Sequence, residues 1–314
     1  MRLYPASELA ALLPSRPLVE ALREQFRRDV FSPVRHHHEV GSPGILLVMP
    51  AWTTGPDGLA GVKLVTVYPD NPARGLPSIQ GQYLLFDATT GTPLAVMDAA
   101  TITLHRTAAA SVLAATFLAR KESRRLLLCS TGRLAPYIAR AYAAVLGINA
   151  VKVWGRRPDR TAAFAQMLSD EGLDAEAVAD PNEALAWADI VSCATMSRAP
   201  LFDGRRLCPG THVDLIGGFT PEMREADDET IRRARVFVDT REGALSEAGD
   251  LLQPIAAGIF HPDDIAGDLF ALCRGDVRGR IAADEITLFK SVGTALEDLA
   301  AARLVYEATH RLEP

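Results

Sequence analysis

Apolar and polar positions along this chain follow two rhythms. The first third is built of short alternating runs. Ile45 to Met49, Gly61 to Tyr68, Gln82 to Phe86 and Pro93 to Met97 read as strands. Within Gly61 to Tyr68, Val62, Leu64 and Thr66 take one face and Lys63, Val65 and Val67 the other. Asp87-Ala88-Thr89-Thr90-Gly91 is a hairpin signal, and Pro69 to Pro77 is a turn-rich loop. Leu18, Leu22, Phe26 and Val30 stand four apart, which predicts a helix over Ser15 to Phe31 with Pro17 in its first turn. An Ala-rich helix over Thr101 to Ala119 closes what reads as an α+β unit with an antiparallel sheet.

From Arg125 the rhythm changes. Arg125-Leu126-Leu127-Leu128-Cys129 is a short apolar run of the kind a buried parallel strand needs. A Gly-containing turn follows, then a helix to Leu146 and a second strand, Ala150 to Trp154. That order is the first unit of a dinucleotide-binding fold. Later strands are expected at Asp189 to Ala194, His212 to Ile216, Val236 to Asp239 and Ile286 to Lys290. Helices are expected at Thr161 to Leu168, after an N-cap at Asp180, and over Val292 to His310. The fold class is α/β: a Rossmann-type doubly wound parallel sheet plus a discontinuous α+β domain. The predicted domains are 1–119 with 285–314 for substrate and association, and 120–284 for the dinucleotide.

Composition narrows the classes. At 314 residues, 48% apolar and 23% charged, the chain has ample material for large cores. A net charge of −6 without a basic block argues against nucleic acid as a partner. No apolar run reaches about 18 residues and the N-terminus has no export pattern, so no membrane partner is expected. Four dispersed cysteines suit a reducing cytoplasm. His36-His37-His38 tempts a metal reading. Successive side chains of an extended chain point apart, so at most two could share an ion; a solvated edge is favoured and no metal is expected.

Two lone cations stand in segments otherwise built for burial. Lys63 is flanked on its face by valines and Arg106 opens the Ala-rich helix. A lysine so placed requires a cleft or an anion to receive it. The turn after Cys129 reads Ser130-Thr131-Gly132-Arg133-Leu134-Ala135. Gly132 and Ala135 fill the last two places of G-x-G-x-x-G/A, while Ser130 holds the first, so either a pyrophosphate turn or a purely structural one remains open. About 20 residues on, where an acid would hold the ribose of NAD, the chain has Arg156 and Arg157. Paired guanidiniums suit a 2′-phosphate, which favours NADP(H) over NAD(H), unless they only form a solvated loop.

The run Lys63, Pro69-Asp70-Asn71-Pro72, Gly75-Leu76-Pro77, Thr90-Gly91, Asp98 and Arg106-Thr107-Ala108-Ala109 resembles the ornithine cyclodeaminase/mu-crystallin family. Val48-Met49-Pro50, Ser192-Cys193-Ala194-Thr195, Gly210-Thr211-His212-Val213, Phe289-Lys290-Ser291-Val292-Gly293 and Glu297-Asp298-Leu299-Ala300 extend the likeness over nearly the whole chain. The resemblance implies that Arg35 and Arg106 bind the carboxylate of a small amino or imino acid. It makes Lys63 the catalytic acid–base group, with a lowered pKa. It brings Ser291 and Val292 to the substrate. It also places Ser78, Thr107, Ser130, Thr131, Gly132, Arg133, Leu134, Ala194, Thr195, Met196 and Ser291 at the cofactor, with Leu134 where many relatives have glutamine. A homodimer is likewise implied.

One departure decides between branches. Cyclodeaminases carry an aspartate after a Gly-Gly that ends a late strand, where this chain reads Gly217-Gly218-Phe219. A phenyl ring accepts no proton. The favoured reading is therefore NAD(P)-dependent hydride transfer at the α-carbon of a small 2-imino, 2-oxo or amino acid, of ketimine-reductase or alanine-dehydrogenase type. The alternatives are ornithine cyclodeamination and a non-catalytic NADPH-binding protein of the mu-crystallin type.

Overall fold

The computed structural model describes residues 1–41 and 43–310. The chain divides into two compact units, Met1–Thr107 with Gly293–Pro314, and Ala108–Val292. The first division falls inside helix Ala99–Leu118, and so differs from the joint expected at 119/120. At the second joint the expected boundary of 284/285 is displaced because strand Ile286–Lys290 pairs within the parallel sheet.

In the first unit six strands form one sheet in the order β1-β6-β5-β4-β3-β2. They are β1 (Arg2–Tyr4), β2 (His36–Glu39), β3 (Ile45–Trp52), β4 (Leu59–Val67), β5 (Ile79–Asp87) and β6 (Pro93–Asp98). All neighbours are antiparallel except β1 and β6. Tyr4, Met97, Tyr83, Lys63 and Met49 stand side by side in register and all are buried. Helix Ala295–His310 packs on β3 and β4 and on helix Ser15–Arg27. A lysine in this row therefore points into the core. Gly61, two residues before it, is required because a Cβ there would lie 1.9 Å from the Tyr83 hydroxyl.

The opposite face of the sheet carries Leu46, Val48, Pro50, Val62, Leu64, Leu84 and Val96, all half-buried. The edge strand β2 is fully exposed. His36 and His38 share a side with their rings 6.3 Å apart, and His37 takes the other. Among the described residues no group of three metal-ligating side chains occurs, and no helix is long and apolar enough to cross a membrane.

The second unit is an all-parallel eight-stranded sheet, order β13-β12-β14-β11-β10-β7-β8-β9. Its strands are β7 (Arg125–Cys129), β8 (Ala150–Trp154), β9 (Asp174–Ala177), β10 (Ile190–Cys193), β11 (His212–Leu215), β12 (Ala234–Val238), β13 (Gly267–Asp268) and β14 (Ile286–Lys290). Strand β7 lies between β8 and β10, so the order reverses there, as in a Rossmann sheet. Ligands of such sheets bind at the carboxyl ends of the strands flanking the reversal. Those ends are Ser130 after β7 and Ala194 after β10.

Candidate active site

The first unit assembles its charges from three elements. Asp98 starts helix Ala99–Leu118 by accepting from the Thr101 amide and hydroxyl, both at 2.7 Å. This fixes Thr103 and Arg106, one turn apart, on the same side of the helix. Arg106 is 5% exposed. Its Nε donates to Asp298 Oδ1 at 2.9 Å and its Nη1 to Glu297 Oε2 at 2.6 Å. Lys63 Nζ lies 2.7 Å from Asp298 Oδ2 and donates to Thr103 Oγ1 at 3.3 Å. The contact between Lys63 and Asp298 is a close, fully buried ion pair. One buried carboxylate thus sits between both cations.

Electrostatics follow from that placement. Burial pulls the Lys63 pKa down to about 8; Asp298 opposes the fall, and the like charges of Arg106 and Arg35 add to it. For Asp298 burial alone would raise the pKa, yet Lys63 and Arg106 hold it below the ordinary carboxylate value. The two buried cations are balanced by Glu297 and Asp298. Arg35 adds one positive charge, and its Nη2 donates to Gly293 O at 2.7 Å. Gly293 adopts φ +82°, and a Cβ there would lie 2.6 Å from Arg106 Nη1, so only glycine lets the chain pass. Among the described residues Arg106 Nη2 donates to no protein group. The arrangement offers the Arg35 guanidinium, an Arg106 edge that donates to no described protein group, and an ammonium with its pKa lowered to about 8. Such a set suits a monocarboxylate carrying a nitrogen that gains or loses a proton.

In the second unit an open cleft of ≈ 760 Å³ lies over the sheet reversal. Ser130, Thr131 and Gly132 line it from the first turn, Arg156 and Arg157 from the end of β8, and Ala194, Thr195 and Met196 from the end of β10. No described non-glycine residue has a positive φ, so Ser130 replaces glycine without backbone strain. Its hydroxyl instead accepts from the Gly132 amide at 3.2 Å and donates to Ala194 O at 2.9 Å, tying the two strand ends together. A Cβ on Gly132 would meet only Ser130 Oγ, at 3.5 Å, so the glycine leaves open space. The Arg133 and Leu134 amides, just before helix Ala135–Leu146, hydrogen-bond to no described group. An open glycine and free amides at a helix start fit a pyrophosphate.

The sequence-derived candidates are thus distributed unevenly. Lys63, Arg106 and Arg35 meet around Asp298 and Gly293. The side chains of Arg133 and Leu134 are not among those lining the cleft, and Leu134 is instead the helix N-cap. Ser78 and Thr107 belong to the first unit; Ser291 and Val292 belong to the second, just past β14. Ser291 N donates to Leu215 O at 3.1 Å and Val292 N to Asp239 Oδ2 at 2.8 Å. Three residues received no site role from the sequence. Glu297 and Asp298 supply the counter-charges, and the signal was two adjacent acids inside an otherwise apolar stripe. Arg160 also lines the cleft, one helical turn past Arg156 and Arg157.

The chain is similar to known proteins over nearly its whole length. The model of the ornithine cyclodeaminase/mu-crystallin family matches residues 7–312. The chain is 44% identical to a Δ1-pyrroline-2-carboxylate reductase of Paracoccus denitrificans, over 92% of this chain and 91% of that protein. The structure of Thermococcus litoralis Δ1-pyrroline-2-carboxylate reductase in complex with NADH and L-proline superposes with a TM-score of 0.93 at 34% identity, covering 99% and 98% of the two chains. An archaeal alanine dehydrogenase dimer with bound NAD gives 0.91 at 31% identity, covering 98% and 96%. The chain belongs to the ornithine cyclodeaminase/mu-crystallin family.

Proposed function

We propose that this chain is an NAD(P)H-dependent reductase of small cyclic 2-imino acids, of which Δ1-pyrroline-2-carboxylate is the type. The observation that carries the reading is the buried Lys63–Asp298–Arg106 set. Arg106 Nη2 and Arg35 bind the substrate carboxylate, which orients the adjacent carbon for reaction. A reduced nicotinamide, when bound, would supply the hydride for that carbon. The C=N π electrons move to nitrogen, and Lys63 Nζ provides the proton that completes the amine. Asp298 keeps Lys63 charged for this step and holds it in place. In the oxidative direction neutral Lys63 takes the proton back. The same groups would serve reductive amination of a 2-oxo acid, the alanine-dehydrogenase variant of this chemistry.

Ornithine cyclodeamination is disfavoured by Phe219, which is 40% exposed and carries no acid for a distal amine. A non-catalytic binder is disfavoured by the cost of burying Lys63 and Arg106 for no chemical return. For the cofactor, Arg156 and Arg157, joined by Arg160, favour NADPH over NADH. For assembly, the half-buried apolar face around Val62, Leu64 and Leu84 favours a homodimer.

Four outcomes are expected. Lys63→Ala lowers kcat by roughly 100-fold or more with NADPH affinity nearly unchanged; parallel loss of both contradicts the assigned role. In wild type, imine reduction declines as pH rises through about 8, because the acid form of Lys63 is lost, while amine oxidation rises over the same range. NADPH binds at least about ten-fold tighter than NADH, about 1.4 kcal/mol, as read by nicotinamide fluorescence; the reverse order ends the cofactor preference. Light scattering after size exclusion gives a dimer that Leu64→Glu converts to monomer; a monomeric wild type removes the assembly claim.

A further inference from the structure

Three charged side chains that the proposed chemistry leaves unused are buried together in the second unit. Glu225, Asp250 and Lys290 are each 0% exposed. Glu225 Oε1 accepts from the Thr195 amide at 2.6 Å and from its hydroxyl at 2.8 Å, while Oε2 accepts from the Gly217 amide at 2.7 Å. One carboxylate therefore joins the chain leaving β10 to the chain leaving β11. Asp250 Oδ1 holds the Glu225 and Ala226 amides at 2.7 and 3.0 Å. Its Oδ2 lies 3.1 Å from Lys290 Nζ, which also donates to Gly217 O. Lys290 ends β14, so the array reaches the carboxyl ends of three neighbouring strands.

The Gly217-Gly218 pair is explained by this array. A Cβ on Gly217 would lie 2.0 Å from Thr195 O and 2.6 Å from the Glu225 carboxyl carbon. At Gly218, with φ +60°, it would lie 2.3 Å from Asp250 Oδ2. The glycines let backbone cross directly over buried charge. An apolar filling of the same volume would cost less than two carboxylates sharing one ammonium, so the arrangement implies a geometric purpose. That purpose is visible at Thr195, which lines the cleft and whose hydroxyl accepts from the Ser197 amide at 3.2 Å.

We propose that Glu225, held by Asp250 and Lys290, is a positioning residue for the cofactor: it sets the Ala194–Ser197 wall of the cleft in the shape that binds NAD(P)H. The inference rests on the reading of that cleft as the cofactor site. Three N–H and O–H donors converge on Glu225, and an amide in its place would set an N–H against one of them. Burial pushes the Glu225 carboxyl up, with Asp250 adding and Lys290 and the Thr195 donors opposing, and the three converging donors require it as the accepting ion.

The test is NADPH titration at pH 8 of full-length wild type, Glu225→Gln, Thr195→Val and the double variant, with melting temperature and steady-state kinetics beside it. Glu225→Gln is expected to weaken NADPH binding roughly ten-fold, raising KM for NADPH while kcat at saturation stays near wild type. The double variant loses no more than the worse single one, because the two act through one contact. Wild-type affinity in Glu225→Gln with only a lower melting temperature overturns the proposal. If Glu225→Gln does not fold, wild-type affinity in Thr195→Val overturns it equally. A wild type that binds neither NADPH nor NADH removes the cofactor reading itself, an outcome distinct from failure of the variant.

Discussion

The carboxylate of Asp298 is the constraint on which the first unit depends. It stands inside the core with one oxygen on Lys63 and the other on Arg106. Without it two cations would share a nearly dry site, and burial together with their mutual repulsion would drive the lysine toward its neutral form. With it, Lys63 keeps its proton near neutral pH yet can release it. Glu297 takes up a second edge of Arg106, which leaves Nη2 for an incoming anion. The fold serves this arrangement: β4 aims Lys63 inward, the Asp98-capped helix aims Arg106, and helix Ala295–His310 brings both acids from the far end of the chain.

The second unit solves a different problem by related means. A parallel sheet must end its strands in turns close enough together to cradle a dinucleotide. Here buried side chains tie the turns to one another. Ser130 links the ends of β7 and β10, and Glu225 links β10 to β11. The serine in a glycine position is therefore a structural tie and not a damaged motif.

The sheet of the second unit was largely legible in the amino-acid order. Arg125–Cys129, Ala150–Trp154 and Ile286–Lys290 coincide with the expected strands: the first and last are buried on both faces and rich in apolar residues, and the second alternates buried valines with half-buried positions. The short helices Asp228–Arg233, Arg241–Glu247, Gly249–Ala256 and Leu269–Arg274 were not read. Each has eight residues or fewer, too short for a periodic stripe, and three depend on local caps from Asp227, Thr240 and Asp268. Lys63 and Arg106 stood out as lone charges in apolar surroundings. Glu297 and Asp298 did not, because their burial is justified only by cations some 190 and more residues away, a pairing no local period encodes. Arg35 rested on family likeness, since its loop has no pattern of its own.

Direct titration of Lys63 in the free protein tests the central claim most closely. With isotope-labelled lysine, NMR should place its midpoint near 8 in wild type. Asp298→Asn should move it lower, since the one opposing charge beside it is gone. A midpoint at the ordinary lysine value of 10.5, or one indifferent to Asp298→Asn, would contradict the account.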